Sequence, residues 1–146
     1  MKTFECQICG HLAFSEAPNA CPICGAPKGR FKEIQDAINK PADPNNLTDA
    51  EKKHTPVVSV LGNKIEVTVG QVIHPMTPEH HVMYVDFYIN DKGIKRASLG
   101  PSPWDPKAEL GSEPKALVEL NLEEGQELKV LENCNLHGRW IAAVKI

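Results

Sequence analysis

The chain has 146 residues, of which 41% are hydrophobic, and a formal net charge of −3. Such a length accommodates one ordinary domain or two small ones with a packed core. No apolar run reaches the ~18 residues of a membrane span, and the acidic balance disfavours nucleic acid, whose partners carry a basic face.

The opening residues Met1-Lys2-Thr3-Phe4-Glu5 lack the apolar stretch of a secretory signal, so a cytoplasmic location is expected. Residues 1–38 are too few to fold on apolar burial alone, because chains below ~40 residues need a staple. Cys6, Cys9, Cys21 and Cys24 supply it, four of the five cysteines in the chain. An odd total argues against a disulfide framework, and clustered thiols in a reducing cytoplasm bind metal or do redox work. A connector over 39–50 follows, in which Asn39-Lys40-Pro41-Ala42-Asp43-Pro44-Asn45-Asn46 reads as extended chain. Thr48-Asp49-Ala50-Glu51 has capping-box form and predicts a short helical turn.

From His54 onward the pattern predicts strands, with His54 opening the first. Val57–Leu61 is a β-branched run, Gly62-Asn63 a hairpin turn, and Ile65, Val67 and Val69 alternate with Lys64, Glu66 and Thr68. His81–Asn90 alternates again, with Met83, Val85, Phe87 and Ile89 on one side. Asp91-Lys92-Gly93 is expected to turn the chain into a strand from Ile94 to Leu99. Pro101, Pro103, Pro106 and Pro114 mark the stretch from Gly100 to Pro114 as loop. Lys115–Asn121, Gln126–Asn133 and Arg139–Ile146 complete about seven short strands. The expected fold is mainly β: a small metal-knuckle unit, then an immunoglobulin-like antiparallel β-sandwich over residues 51–146.

Cys6-x-x-Cys9-Gly10 and Cys21-Pro22-x-Cys24-Gly25 are metal knuckles. The two-residue gap aims both sulfurs at one ion, and glycine after the second cysteine permits the left-handed backbone of the turn. Four thiolates form a closed tetrahedral site that suits zinc or iron. His11, between the knuckles, is expected to be exposed and not a ligand.

The second cluster is spread along the chain. Cys134 and His137 stand three residues apart after the sixth strand, His74 and His80 share a proline-bounded loop, and His54 starts the sandwich. Taken singly, each histidine reads more simply as a surface residue and Cys134 as a small buried hydrophobe. As a set they lie at strand ends, which gather at one end of a sandwich. His81 follows His80 directly and points away by strand alternation, so it is left out.

Two resemblances sharpen this reading. Cys6-Gln7-Ile8-Cys9-Gly10, Ala17-Pro18 and Cys21-Pro22-Ile23-Cys24-Gly25-Ala26-Pro27-Lys28, followed by Phe31, resemble the rubredoxin domain of rubrerythrins. That implies one iron cycling between ferrous and ferric, with a structural zinc as the other occupant. Lys53-His54-x-Pro56-Val57, His74-Pro75-x-Thr77-x-Glu79-His80-His81 and Cys134-Asn135-x-His137-Gly138-x-Trp140 resemble the superoxide reductase domain of the neelaredoxin and desulfoferrodoxin family. The resemblance implies an immunoglobulin-like sandwich holding a ferrous iron, with His54, His74, His80 and His137 in a plane and Cys134 axial. It implies reduction of superoxide to hydrogen peroxide at the open sixth position, with Lys53 beside it. It further implies two irons per chain, a homo-oligomer, and an external electron donor such as a rubredoxin or a flavoprotein reductase.

Two departures stand out. The family carries Glu-Lys directly before its first histidine ligand, whereas here the order is Glu51-Lys52-Lys53-His54. Glu51 as a sixth ligand is therefore in question. The second cysteine pair is spaced rather than adjacent, unlike the desulforedoxin-type site of desulfoferrodoxins. Two other classes compete. A cupredoxin-like electron carrier would use two histidines, Cys134 and a weak axial Met76 around copper. A zinc-ribbon interaction module would be colourless and give Cys134 no role.

Overall fold

The computed structural model describes residues 1–146. Strands β1 (Thr3–Cys6), β2 (Leu12–Phe14) and β3 (Phe31–Ile34) form an antiparallel sheet in the order β2-β1-β3. The two cysteine knuckles fill its loops. Gly10 and Gly25 both adopt φ +79°, and their amides donate to the carbonyls of Cys6 (2.8 Å) and Cys21 (2.9 Å). These are two copies of one tight turn, and only glycine takes that φ without strain. The unit's centre consists of Cys6, Cys9, Cys21 and Ala26, so metal ligation rather than apolar burial organises it.

The connector carries regular structure at both ends. Ile38–Asn39 form a strand, β4, that pairs in parallel with β11 (Gly138–Lys145). Thr48 then caps helix α1 (Asp49–His54) with a full capping box. His54 therefore closes a helix rather than opening a strand. The cap starts the helix, and Thr55-Pro56 ends it, because the residue before proline is pushed out of the α region. Strands β5 (Pro56–Leu61), β6 (Lys64–Val69), β7 (Val82–Ile89), β8 (Lys92–Ser98), β9 (Lys115–Glu119) and β10 (Glu127–Cys134) follow. β8 begins at Lys92, earlier than expected, because Asn90 and Asp91 (φ +48° and +66°) make the two-residue hairpin turn themselves.

A five-stranded sheet β4-β11-β10-β7-β8 packs on a three-stranded sheet β5-β6-β9. Ile65, Val67, Val69, Val85, Phe87, Leu128 and Val130, all fully buried, fill the space between them. Each contributes roughly 1.5–3 kcal/mol by burial.

The other face of β7 is buried too. Tyr84, Asp86 and Tyr88 lie beneath the cysteine unit, where Leu12, Phe14, Met83, Tyr84, Tyr88 and Leu131 share a second apolar cluster. His11, expected at the surface, is only 1% exposed and lies 2.8 Å from Asp86 Oδ2. The reason is the docking itself. Arg96 forks onto Asp86 (2.6 and 2.9 Å) and donates to the Cys9 carbonyl (2.6 Å). Tyr88 OH donates to Leu12 O, and Arg139 bridges Glu5 and the Gly10 carbonyl. Burial works to raise the Asp86 pKa, but its bonds to Arg96 and His11 prevail and hold it below the usual carboxylate range.

Candidate metal centres

At the N-terminal cluster the sulfurs of Cys6 and Cys24, and of Cys9 and Cys21, are each 3.6 Å apart, and all four lie within 4.8 Å. A tetrahedron with ~2.3 Å metal–sulfur bonds has edges of ~3.8 Å, so the four thiols fit one ion. Burial pushes the Cys9 thiol well up and the Cys21 thiol up, a cost that a bound cation removes by favouring thiolate. Backbone amides of Ile23 and Cys24 face Cys21, that of His11 faces Cys9, and that of Ala26 faces Cys24. Only Cys24 is exposed, so one edge of the cluster meets solvent.

At one end of the sandwich, α1, the loop after β6 and the β10–β11 loop deliver the second cluster. The ligand atoms of His54, His74, His80 and Cys134 lie within 4.8 Å of one another. His137 joins them, its Nδ1 3.1 Å from His54 Nε2 and 3.8 Å from Cys134 Sγ. The rings stand in a square: centroids of successive pairs 54–74, 74–80, 80–137 and 137–54 are 4.7–5.0 Å apart at 72–75°, while His54 and His80 face each other at 6.3 Å.

The backbone sets which nitrogen faces the centre. His54 Nδ1 donates to Ala50 O and His74 Nδ1 to Pro75 O, both at 2.7 Å. A carbonyl only accepts, so each Nε2 keeps its lone pair. The Nε2 atoms of His74 and His80 are buried with no hydrogen-bond partner. Orphaned buried nitrogens of this kind call for an acceptor of their lone pairs, and a metal ion is one. Burial, first, and the neighbouring imidazoles hold His54, His74 and His80 below the normal histidine range, His74 at about 4. They are therefore neutral and able to ligate at pH 7.

Cys134 is 1% exposed; burial raises its thiol, while the amides of Leu136 and His137 point at the sulfur and oppose that. Asn135 ties this loop to the histidine loop, accepting from His81 N (2.9 Å) and donating to Glu79 O (3.0 Å). The Trp140 ring stacks on His54 at 5.1 Å. Asn39 donates to the carbonyls of His137 (2.9 Å) and Arg139 (3.1 Å). Asn135 and Trp140 had a signal in their motif. Asn39 had none, because nothing in a polar connector announces a partner 98 residues away.

Three neighbours stay outside. His81 turns away, with its ring nitrogens on Thr77 O (2.9 Å) and Pro101 O (2.7 Å). Met76 packs on the sandwich core, so a copper-type axial role for it has no support. Glu51 spends both oxygens on backbone amides, accepting from Thr48 (2.8 Å) and Ala42 (3.1 Å). Lys53 is exposed, and its charge acts on His54 and His80.

Thiolate at both clusters and imidazole at one suit redox-active iron rather than magnesium or calcium. That donor set on a β-sandwich defines a small metalloprotein with one tetrathiolate and one imidazole–thiolate centre. The family model for desulfoferrodoxin matches residues 46–143, and that for the rubrerythrin, rubredoxin-like domain matches residues 4–32. The chain belongs to the desulfoferrodoxin family. It is 29% identical over 142 residues to the desulfoferrodoxin of Syntrophotalea carbinolica, covering 96% of this chain and 94% of that one. It is 32% identical over 101 residues to the superoxide reductase of Pyrococcus horikoshii, covering 65% and 88%. The superoxide reductase structure from Treponema pallidum superposes with a TM-score of 0.57 at 26% identity, covering 97% of this chain and 98% of that one. No helix is long and apolar enough to cross a membrane.

Proposed function

We propose that this chain reduces superoxide to hydrogen peroxide at an iron held by His54, His74, His80, His137 and Cys134, and that a second iron on Cys6, Cys9, Cys21 and Cys24 returns the electron. The observation that carries the reading is the square of four imidazoles with Cys134 beside it, in which the Nε2 atoms of His74 and His80 are buried without a partner. When bound, a ferrous ion there supplies one electron and an open coordination position. The balance is superoxide plus one electron plus two protons, giving hydrogen peroxide.

The protein's own residues do the rest. The carbonyls of Ala50 and Pro75 fix the His54 and His74 tautomers, so the ligand square is preorganised. The amides of Leu136 and His137 point at the Cys134 sulfur and offset part of the burial that raises its thiol, and a bound cation would favour the thiolate. Exposed Lys53 draws the anion in and orders the water that gives up protons. Glu51 is committed to its cap, with both carboxylate oxygens on backbone amides. In this reading residues 1–38 are the electron-uptake unit, 39–50 the connector and 51–146 the reductase unit. The external donor is a small rubredoxin or a flavoprotein reductase, the protein is a cytoplasmic homo-oligomer, and zinc is the one competing occupant of the cysteine site.

The test is elemental analysis with visible spectroscopy and a superoxide assay on purified protein. Two irons per chain, separable tetrathiolate and thiolate-to-ferric bands, and peroxide formed without dioxygen are expected. Copper in the histidine cluster, or zinc in both clusters with no superoxide consumed, overturns the proposal.

A further inference from the structure

The two clusters are joined inside one chain. Gly10, which follows ligand Cys9, presents its carbonyl to the sheet that ends in Cys134. Tyr84 OH donates to Gly10 O at 2.9 Å, and Asn133 Nδ2 donates to Tyr84 OH at 2.9 Å. Asn133 is the residue bonded to Cys134. Tyr84, Asn133 and Arg139 are cross-strand neighbours on β7, β10 and β11, in the row next to the Cys134–Gly138 pair. All three are buried, and Arg139 also donates to Gly10 O at 2.9 Å. Aligned bonds from amide to hydroxyl to carbonyl polarise one another.

The geometry points to an intramolecular electron route: Cys9, the Gly10 carbonyl, Tyr84 OH, the Asn133 side chain, the Asn133–Cys134 peptide, and the Cys134 sulfur. Electronic coupling decays less through covalent and hydrogen bonds than across van der Waals gaps, and this route contains no gap. One electron leaves the reduced tetrathiolate centre, which becomes ferric, and arrives at the oxidised histidine/cysteine centre, which becomes ferrous. No bond breaks, and the Tyr84 proton stays on its oxygen. Tyr84 and Asn133 are positioning residues, touching neither substrate nor metal. The inference rests on the two-iron reading above and deepens it.

The test compares Tyr84→Phe and Asn133→Leu with Tyr88→Phe in the two-iron protein. Tyr88→Phe removes an equivalent interface bond, 2.6 Å to Leu12 O, that leads to no ligand. Three quantities are read: the rate at which the ferric thiolate band bleaches after fast reduction of the tetrathiolate centre, the reduction potential of each centre, and side-chain amide exchange of Asn133 in the zinc-loaded protein. Tyr84→Phe and Asn133→Leu should slow the bleaching several-fold at unchanged potentials, and Tyr84→Phe should speed Asn133 amide exchange. Tyr88→Phe should leave the rate at the wild-type value. Equal slowing in Tyr84→Phe and Tyr88→Phe would mean that docking alone matters, and no slowing in any variant would mean that electrons travel elsewhere; either result overturns the route. Wild-type protein that takes up no iron, or whose directly reduced centre ignores superoxide, overturns the functional reading instead.

Discussion

Asp86 is the pivot on which the cysteine unit is docked, and its removal gives a measurable quantity. Its carboxylate is fully buried and bound by both arms of Arg96 and by His11. In Asp86→Ala, Arg96 remains largely buried opposite a void. Breaking a buried pair by removing one partner costs ~3–5 kcal/mol, and the 16% exposure of the Arg96 side chain lets water recover part of that. The expected loss is therefore about 3 kcal/mol, or roughly 6–12 °C in Tm for a chain of this size. Zinc-loaded protein, free of iron quenching, is the material for the assay. Trp104 lies against Gly10 and Tyr84 and reports the docked interface, while Trp140 reports the histidine cluster. Trp104 fluorescence should change at lower temperature in Asp86→Ala, ahead of Trp140. Asp86→Leu combined with Arg96→Met should recover most of the loss, since paired removal leaves no orphaned charge. A midpoint within ~2 °C of wild type for Asp86→Ala would refute the assigned role, ~2–4 °C being the shift for a single kcal/mol. The pH dependence follows the same carboxylate. Its folded pKa lies below the unfolded value of ~3.9, so its contribution is whole at neutral pH and is lost as pH falls through the folded value. Acid undocking below about pH 4 should vanish in Asp86→Asn.

Lys53→Glu should slow superoxide association several-fold at low ionic strength with iron still bound, since one charge ~6 Å away acts with ~0.7 kcal/mol in water. Stopped-flow traces with and without salt check this, because added salt should shrink the difference. In Gly70→Ala the new Cβ would clash with the Lys52 carbonyl, forcing back the helix that carries His54. Overpacking of that kind costs ~1–3 kcal/mol, and the variant should hold less metal in the histidine cluster while the cysteine cluster fills normally, as elemental analysis would show. Metal-free protein should lose stability progressively as pH falls from ~6.5 toward 4, because the unfolded chain protonates histidines that burial keeps neutral in the fold, His74 down to about 4. Denaturant midpoints across that range measure it.

The strands and the side chains that gather in the two clusters were legible because each left a local mark. Ile65, Val67 and Val69 alternate and are buried, and the Thr48-to-Glu51 spacing gives the capping box observed. Cys134, His137, His74, His80 and His54 were legible as a set, through their places at element ends. What stayed hidden belongs to the docking. Tyr84, Asp86 and Tyr88 alternate with Val85 and Phe87 and so read as a solvent-facing side, yet the cysteine unit covers them. His11 was misjudged, and the role of Asn39 went unseen, for the same reason, since their partners Asp86 and His137 lie 75 and 98 residues away. No local pattern encodes contacts between two units that each look complete.

The parallel pairing of Ile38 and Asn39 with the last strand has a consequence for assemblies of this protein. With the tether stitched to its own sheet, there is no slack for one copy's cysteine unit to be lent to another. If the cysteine unit is the electron inlet proposed above, each chain carries its own, and a mixture of intact subunits and subunits lacking Cys24 should lose donor-driven turnover in linear proportion to the defective fraction. A curve bowed toward rescue would show that subunits share their wiring.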